Sequence, residues 1–225
     1  YKSIITLYDS NGKQLLRNFM SSTRVIDVSI SNDNKYLAFA EMDTSGTVIK
    51  STIKIISVEK ASTNSNQAIV YSKEAGTSEM IVKIQYQEKD DLICVYDDVV
   101  KAIKDNEESE VVSKDDTMTF VSGNLNNSIA YIKEEQKGIF DSSSTLNIKN
   151  TSNNQEYKYS FDEIAKEMYT YGNIIGINIG TEMYFVNTNG MLIKKYVAKQ
   201  EITNVMMSNN LAIIIYKDRI EIVNL

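Results

Sequence analysis

The 225-residue sequence has no proline, no tryptophan and no histidine, a single cysteine, and only nine glycines. The missing histidine removes the commonest general base near neutral pH and the commonest metal ligand together. The lone Cys94 excludes an internal disulfide framework and any cysteine-clustered zinc site. Most of the usual routes to an enzyme are therefore closed. Without proline and with little glycine, turns must be built from Asn, Asp and Ser, whose short side chains bond their own backbone and tolerate left-handed conformations. No run approaches the roughly 18 apolar residues that a membrane-spanning helix needs. The densest, Leu211 to Tyr216, is only strand-length. Positive charge is in deficit: 24 basic against 30 acidic side chains give a net charge of −6. That argues against a nucleic-acid partner, because phosphate binding needs a basic surface that releases counterions.

Apolar residues make up 42% of the chain, enough for a core. The length fits one sizeable domain or at most two small ones, and we expect a single domain over residues 1–225. Isoleucine (29) and asparagine (22) are heavily used, and 21 lysines stand against three arginines. This skew toward A/T-rich codons suggests a low-GC bacterial source. The chain opens on Tyr1 rather than methionine, so we expect the soluble part of a larger product, either a secreted or membrane-anchored ectodomain or a trimmed form of a longer chain.

The strongest signal is a long series of four-to-seven-residue segments rich in Ile, Val, Tyr and Thr, separated by Asn, Asp, Ser and Gly clusters. Helical periodicity is missing, apart from a turn or two predicted at Asp162 to Lys166 after a Ser160 cap. The strands repeat in groups of four. The first group is 25–30, 36–40, 52–57 and 67–72; the second is 80–85, 91–96, 99–104 and 110–113. The third is 118–122, 128–133, 145–150 and 156–160; the fourth is 168–171, 174–179, 182–188 and 192–196. Four short strands recurring every few tens of residues predict a β-propeller, in which each twisted sheet needs neighbours on both faces. Alternating strands also fit a β-sandwich; a repeat in one strand order favours the propeller.

Two N-terminal strands (4–8 and 14–19) and three C-terminal ones (202–207, 211–216 and 220–224) would close the ring, with five or six blades left open. Asp9-Ser10-Asn11-Gly12 and Asn187-Thr188-Asn189-Gly190 share one form, the Asn-Gly hairpin turn.

Val28 to Ala40 (VSISNDNKYLAFA) resembles the inner hairpin of TolB-like and WD40-like propellers, roughly Ser-Pro-Asp-Gly-Lys-x-Leu-Ala. Ser31, Asp33, Lys35, Leu37 and Ala38 match, while Asn32 and Asn34 replace the proline and glycine. Tyr8 to Leu16 (YDSNGKQLL) is similar to the Asn-Gly-Lys turn of quinoprotein-type repeats. Together with the codon skew, the chain resembles uncharacterised membrane-anchored propellers of low-GC, spore-forming Gram-positive bacteria. The resemblance implies an extracytoplasmic protein, secreted or held at the membrane by an N-terminal anchor. The sequence departs from WD40 proteins in lacking any Gly-His or Trp-Asp dipeptide, and from quinoprotein dehydrogenases in lacking every tryptophan. No cofactor is expected.

In a propeller, the loops joining second to third strands, and each fourth strand to the next blade, share one face. Those loops carry sixteen acids and eight bases here. The expected negative potential suits a basic partner, although solvated loops that keep an acidic protein soluble would look the same. The two longest, 41–51 and 134–143, supply the candidate binding residues Glu41, Asp43, Glu134, Glu135 and Asp141.

Asp97-Asp98 and Asp115-Asp116 lack the alternating ligands and bend glycine of a calcium loop, and adjacent residues cannot by themselves space a glycosidase pair. They read as turn formers. Cys94 reads as a buried small hydrophobe, and the run Lys104 to Glu110 as a solvated outer hairpin. Tyr169, Tyr171 and Tyr184 read as strand residues rather than a sugar-stacking platform. The expectation is a non-enzymatic interaction module binding a protein or cell-surface component through its acidic loop face. No metal and no catalytic residue is assigned. The alternative is a carbohydrate-active or other hydrolytic propeller whose Asp/Glu pairs converge on folding.

Overall fold

Alternate residues of each short strand face opposite ways, so a strand apolar on both faces demands a neighbour on each side. In the strand beginning at Tyr36, Leu37 and Phe39 face one way and Ala38 and Ala40 the other, and all four are fully buried. A computed structural model shows how the chain meets this demand; it describes residues 2–21, 23–63, 67–77, 79–87, 91–136 and 142–225.

The described chain divides into two compact units, Tyr1–Lys114 and Asp115–Leu225. Unit 1 opens with a hairpin of β1 (Ile4–Tyr8) and β2 (Gln14–Met20). An antiparallel sheet follows: β3 (Arg24–Ile30), β4 (Tyr36–Asp43), β5 (Lys50–Ser57) and β6 (Ile69–Glu74). Between β5 and β6 lies α1 (Val58–Thr63). The second sheet is β7 (Ile81–Tyr86), β8 (Leu92–Tyr96), β9 (Val99–Lys104) and β10 (Glu107–Ser113).

Unit 2 repeats the pattern. Its first sheet is β11 (Met118–Leu125), β12 (Ser128–Gln136), β13 (Ser142–Asn150) and β14 (Glu156–Phe161). Its second is β15 (Glu167–Tyr171), β16 (Ile174–Asn178), β17 (Glu182–Asn187) and β18 (Leu192–Val197). A three-stranded sheet ends it: β19 (Asn204–Met207), β20 (Leu211–Ile215) and β21 (Ile220–Asn224). Each sheet is a meander in sequence order, and the four four-stranded ones are the expected four-part repeat.

The sheets pack face on face. In unit 1, Leu16 and Phe19 meet Leu37, Phe39 and Ile56, with Phe19 edge-on to Phe39 at 5.5 Å. The opposite face of the same sheet, with Ala38, Ala40, Ile53 and Ile55, packs on Ile81, Ile84, Leu92 and Cys94 of the next. In unit 2, Ile175, Ile177 and Val186 face Ala130, Ile132, Leu146 and Ile148. Ile174, Met183 and Phe185 on the reverse face meet Val205, Ala212, Ile214 and Val223. Each fully buried Ile or Phe contributes about 1.5–3 kcal/mol, so these faces carry the fold.

Successive first strands lie side by side, β3 against β7, β11 against β15 and β15 against β19. Side chains satisfy their facing edges. The backbone N–H groups of Ile84 and Tyr86 donate to Asp27 Oδ2 and Ser29 Oγ, each at 2.9 Å. Asn32 Nδ2 donates to the Gln87 carbonyl at 2.7 Å.

Three local expectations are corrected. Residues 162–166 are not helical: Ala165 is buried, and its N–H donates to Ser144 Oγ at 2.8 Å, pulling the segment onto the sheet. The helix lies instead at α1, where Ser57 Oγ accepts from the Lys60 N–H at 3.4 Å and Ala61 is buried where α1 packs on β2 and β5. The fourth strand of the first group starts at Ile69 rather than Gln67.

Candidate functional site

The meander order places the β4–β5 loop, the β6–β7 connection and the β8–β9 turn at one end of the unit 1 sheets. Hydrogen bonds tie these loops together. The Asp97 N–H donates to the Met80 carbonyl at 2.9 Å, and the Met80 N–H donates back to Asp97 Oδ1 at 2.8 Å. The Ala75 N–H donates to the Ser51 carbonyl at 2.8 Å, and the Lys114 N–H to the Asp98 carbonyl at 2.9 Å. Glu79 Oε2 accepts from the Gly76 N–H at 2.9 Å. Loops cross-tied in this way present a rigid surface.

On that surface the β4–β5 tip carries Val48 and Ile49, 48% and 46% exposed. With Met80, Glu79 and Asp97 they line a depression of about 320 Å³. Asp98, at the tip of the two-residue β8–β9 turn, is exposed, and Asp43 ends β4. Hydrogen bonds from Ser45, side chain and backbone, hold the Asp43 carboxyl below its ordinary range. The result is an aliphatic pair framed by carboxylates, with Lys50 drawn to Glu74 at 3.1 Å.

Beneath this surface runs a partly buried polar network. Tyr96 Oη donates to Glu108 Oε1 at 2.9 Å, and Lys73 Nζ pairs with Glu108 Oε2. Lys101 Nζ lies 3.2 Å from Glu79, 3.8 Å from Glu108 and 4.3 Å above the Tyr96 ring. Burial pushes the Glu108 carboxyl up, but bonds from Lys73 and Tyr96 and the Lys101 charge outweigh it and leave the group below its ordinary value. Burial, then the bond to Glu108, pushes the Tyr96 phenol up. The network links β6 to β8, β9 and β10, fixing the platform on which the loops stand.

The expected site residues separate. Glu41 lies within β4 rather than in a loop; its side chain is 3% exposed and bonds Lys54 Nζ at 2.5 Å. It belongs to the sheet, and the β4–β5 loop shortens to residues 44–49. Asp43 stays at the rim. The expected loop 134–143 is also shorter, because β12 continues through Glu134 and Glu135, which pair opposite Ser144 and Ser143. Glu134 is half-buried and Glu135 exposed. Asp141 lies outside the described residues.

Asp97-Asp98 and Asp115-Asp116 are turns, as expected. Lys133 and Thr117 side-chain bonds to Asp115 hold its carboxyl at about 2. Cys94 is fully buried, and burial pushes its thiol up. Tyr169 and Tyr184 pack on opposite faces of one sheet and form no common platform. Val48, Ile49 and Met80 were missed by the sequence reading. The signal available was an aliphatic pair, Val48-Ile49, inside a polar loop.

These four-stranded meanders, stacked face to face with first strands adjacent, define a protein of the β-propeller class. Solved structures agree. The chain matches Sqt1 from Chaetomium thermophilum at 11% identity, covering 90% of this chain and 58% of that one, with a TM-score of 0.56. It matches the Pan2 WD40 domain of Neurospora crassa at 9% identity, covering 94% and 66%, with a TM-score of 0.55. Sqt1 also matches in its complex with the N-terminus of ribosomal protein L10, with a TM-score of 0.55. The chain thus spans less than two thirds of the length of these propellers. No curated protein matches the sequence. The chain belongs to a family of unknown function, DUF5711, whose model matches residues 1–225.

Proposed function

We propose that the chain is a non-enzymatic propeller module that docks a protein segment combining basic and aliphatic side chains on the unit 1 loop face. The observation that carries this reading is the Val48–Ile49 pair, exposed on a hydrogen-bonded platform and framed by Glu79 and Asp97, with Asp43 and Asp98 at the ends of the adjoining strand and turn. An apolar centre with a polar rim is the anatomy of a contact surface. Acids around it favour a cationic partner and speed its encounter. Sqt1, a protein of the same fold, binds the N-terminus of a ribosomal protein.

Docking is favoured over hydrolysis by the state of the carboxyls. General acid catalysis needs a carboxyl held above its ordinary range in a cleft. Each described carboxyl with a resolved shift, from Asp33 to Glu221, moves down instead, held by lysine, arginine, tyrosine, serine, threonine, glutamine or backbone bonds. On this reading the module works outside the cytoplasm, anchored or secreted, as the resemblance carried by Tyr8–Leu16 and Val28–Ala40 together with the codon skew implies. No helix among the described residues is long and apolar enough to cross a membrane.

The test uses a fluorescent peptide alternating lysine with isoleucine, titrated by anisotropy against the intact chain. Binding at micromolar concentration, weakened at least tenfold by Val48→Asp with Ile49→Asp, is expected. Equal binding by the double variant, with its melting temperature unchanged, would remove the site from this face.

A further inference from the structure

At the other end of the same two unit 1 sheets, away from the loop face, lies a second depression of about 310 Å³. Its floor is aliphatic: Ile55, Leu92 and Ile103 are buried there, with Val70 partly so. Tyr36, 39% exposed, and Tyr86, 8% exposed, form its aromatic part. Its rim is polar, with Asp91, Lys104, Asp105 and Asn106.

The rim is preorganised. Lys104 and Glu107 are paired across the β9–β10 hairpin, and Asp105 and Asn106 occupy its two-residue turn with φ of 50° and 66°. This tight, twist-matched turn holds both side chains in place over the floor. Lys104 Nζ stands 3.8 Å from Asp91 Oδ1, with the lysine side chain 66% exposed and the aspartate 22%. Among the described rim residues, neither sign of charge dominates enough to hold an ion. An anion would face two carboxylates, and a cation would have to displace Lys104.

We propose that this cleft binds a neutral pyranose sugar. A pyranose has an apolar C–H face suited to the tyrosines and aliphatic floor, and an edge of hydroxyls that both donate and accept. Donation to Asp91 and Asp105 and acceptance from Lys104 and Asn106 leave the Asp91–Lys104 pair intact. The volume lies at the small end of ligand pockets, which fits one or two rings. The site is independent of the loop face and shares no residue with it.

The experiment is saturation-transfer NMR on the intact chain with N-acetylglucosamine, maltose and cellobiose, and with glycerol as a polyol lacking a ring. Transfer to the ring C–H protons of at least one sugar, and none to glycerol, is expected. Amide shift changes should cluster at residues 36, 86, 91 and 103–106. Tyr36→Ala should weaken binding at least tenfold, while Tyr36→Phe keeps most of it. No transfer to any of the three sugars at 20 mM would overturn the proposal. So would shifts clustered elsewhere, or a Tyr36→Ala chain that binds as tightly as the parent. The shift map needs no substitution, so it decides the matter even where a variant fails to fold.

Discussion

Glu108 shows how one residue serves both stability and the platform. Its carboxylate collects the Tyr96 hydroxyl and Lys73, with Lys101 nearby, at a side-chain exposure of 11%. Replacing it by Gln leaves two lysines without that carboxylate. We expect a loss of about 2 kcal/mol at pH 7, below the 3–5 typical of a fully buried pair, because Lys73 is 46% exposed. The sign with pH follows from the lowered carboxyl. Its contribution is complete above the unfolded value of about 4.3 and disappears as pH falls through the lower folded value. Asp115, held at about 2, titrates in the same direction. Urea midpoints should therefore drop between pH 5 and pH 2, and the drop should be smaller in Glu108→Gln. Glu41 tests the separation of roles. Glu41→Ala removes the carboxylate beside Lys54, whose side chain is 17% exposed, and should cost about 3 kcal/mol, yet basic-peptide binding by the folded fraction should be unchanged. Asp98→Asn should do the reverse, with a melting temperature near that of the parent and weaker binding.

At the scale of the element, the two Asn-Gly turns form a matched pair. Asp9 Oδ1 accepts from the N–H groups of Asn11 and Lys13, and Asn187 Oδ1 from those of Asn189 and Met191. Gly12 and Gly190 sit at φ of +79° and +76°, but a Cβ on Gly12 meets nothing within 4 Å, whereas one on Gly190 meets Tyr157 Cβ at 3.1 Å. Both alanine variants should lose about 1–2 kcal/mol to the left-handed backbone. Gly190→Ala should lose more, and the difference between the two urea midpoints isolates the steric part.

These turns and the four-strand order were legible because Asn-Gly pairs and period-2 runs are local signals. The helix α1 was not, because six residues are too few to show a period and its stability comes from Ala61 packing on a neighbouring sheet. The burial of Glu41 was also hidden. Alternation tells which residues share a face, but not that Lys54, thirteen positions on, arrives beside the carboxylate. The strand ends at Gln136 and Ser142 were missed because β12 and β13 extend each other through backbone pairing, which polar side chains such as Glu134 and Ser144 neither specify nor prevent.

At the scale of the whole molecule, stacking meanders frees the loops from holding the core, so the chain can place acids and aliphatics at a rim without loss of stability. In the proposed docking, the net charge of −6 would act as a steering field rather than a fold determinant. Carboxylates at a rim are screened within about 8–10 Å at physiological salt, so their share of binding must be ionic-strength dependent, while the Val48–Ile49 share must not. The most direct measurement is the affinity of the lysine–isoleucine peptide, and of its glutamate–isoleucine counterpart, for the intact chain from 50 to 500 mM salt. The account predicts that the lysine peptide binds, weakens with salt and levels at a residual salt-independent affinity, while the glutamate peptide binds far more weakly at every salt concentration. Equal affinity for both peptides, or a lysine-peptide affinity that salt does not change, would contradict it.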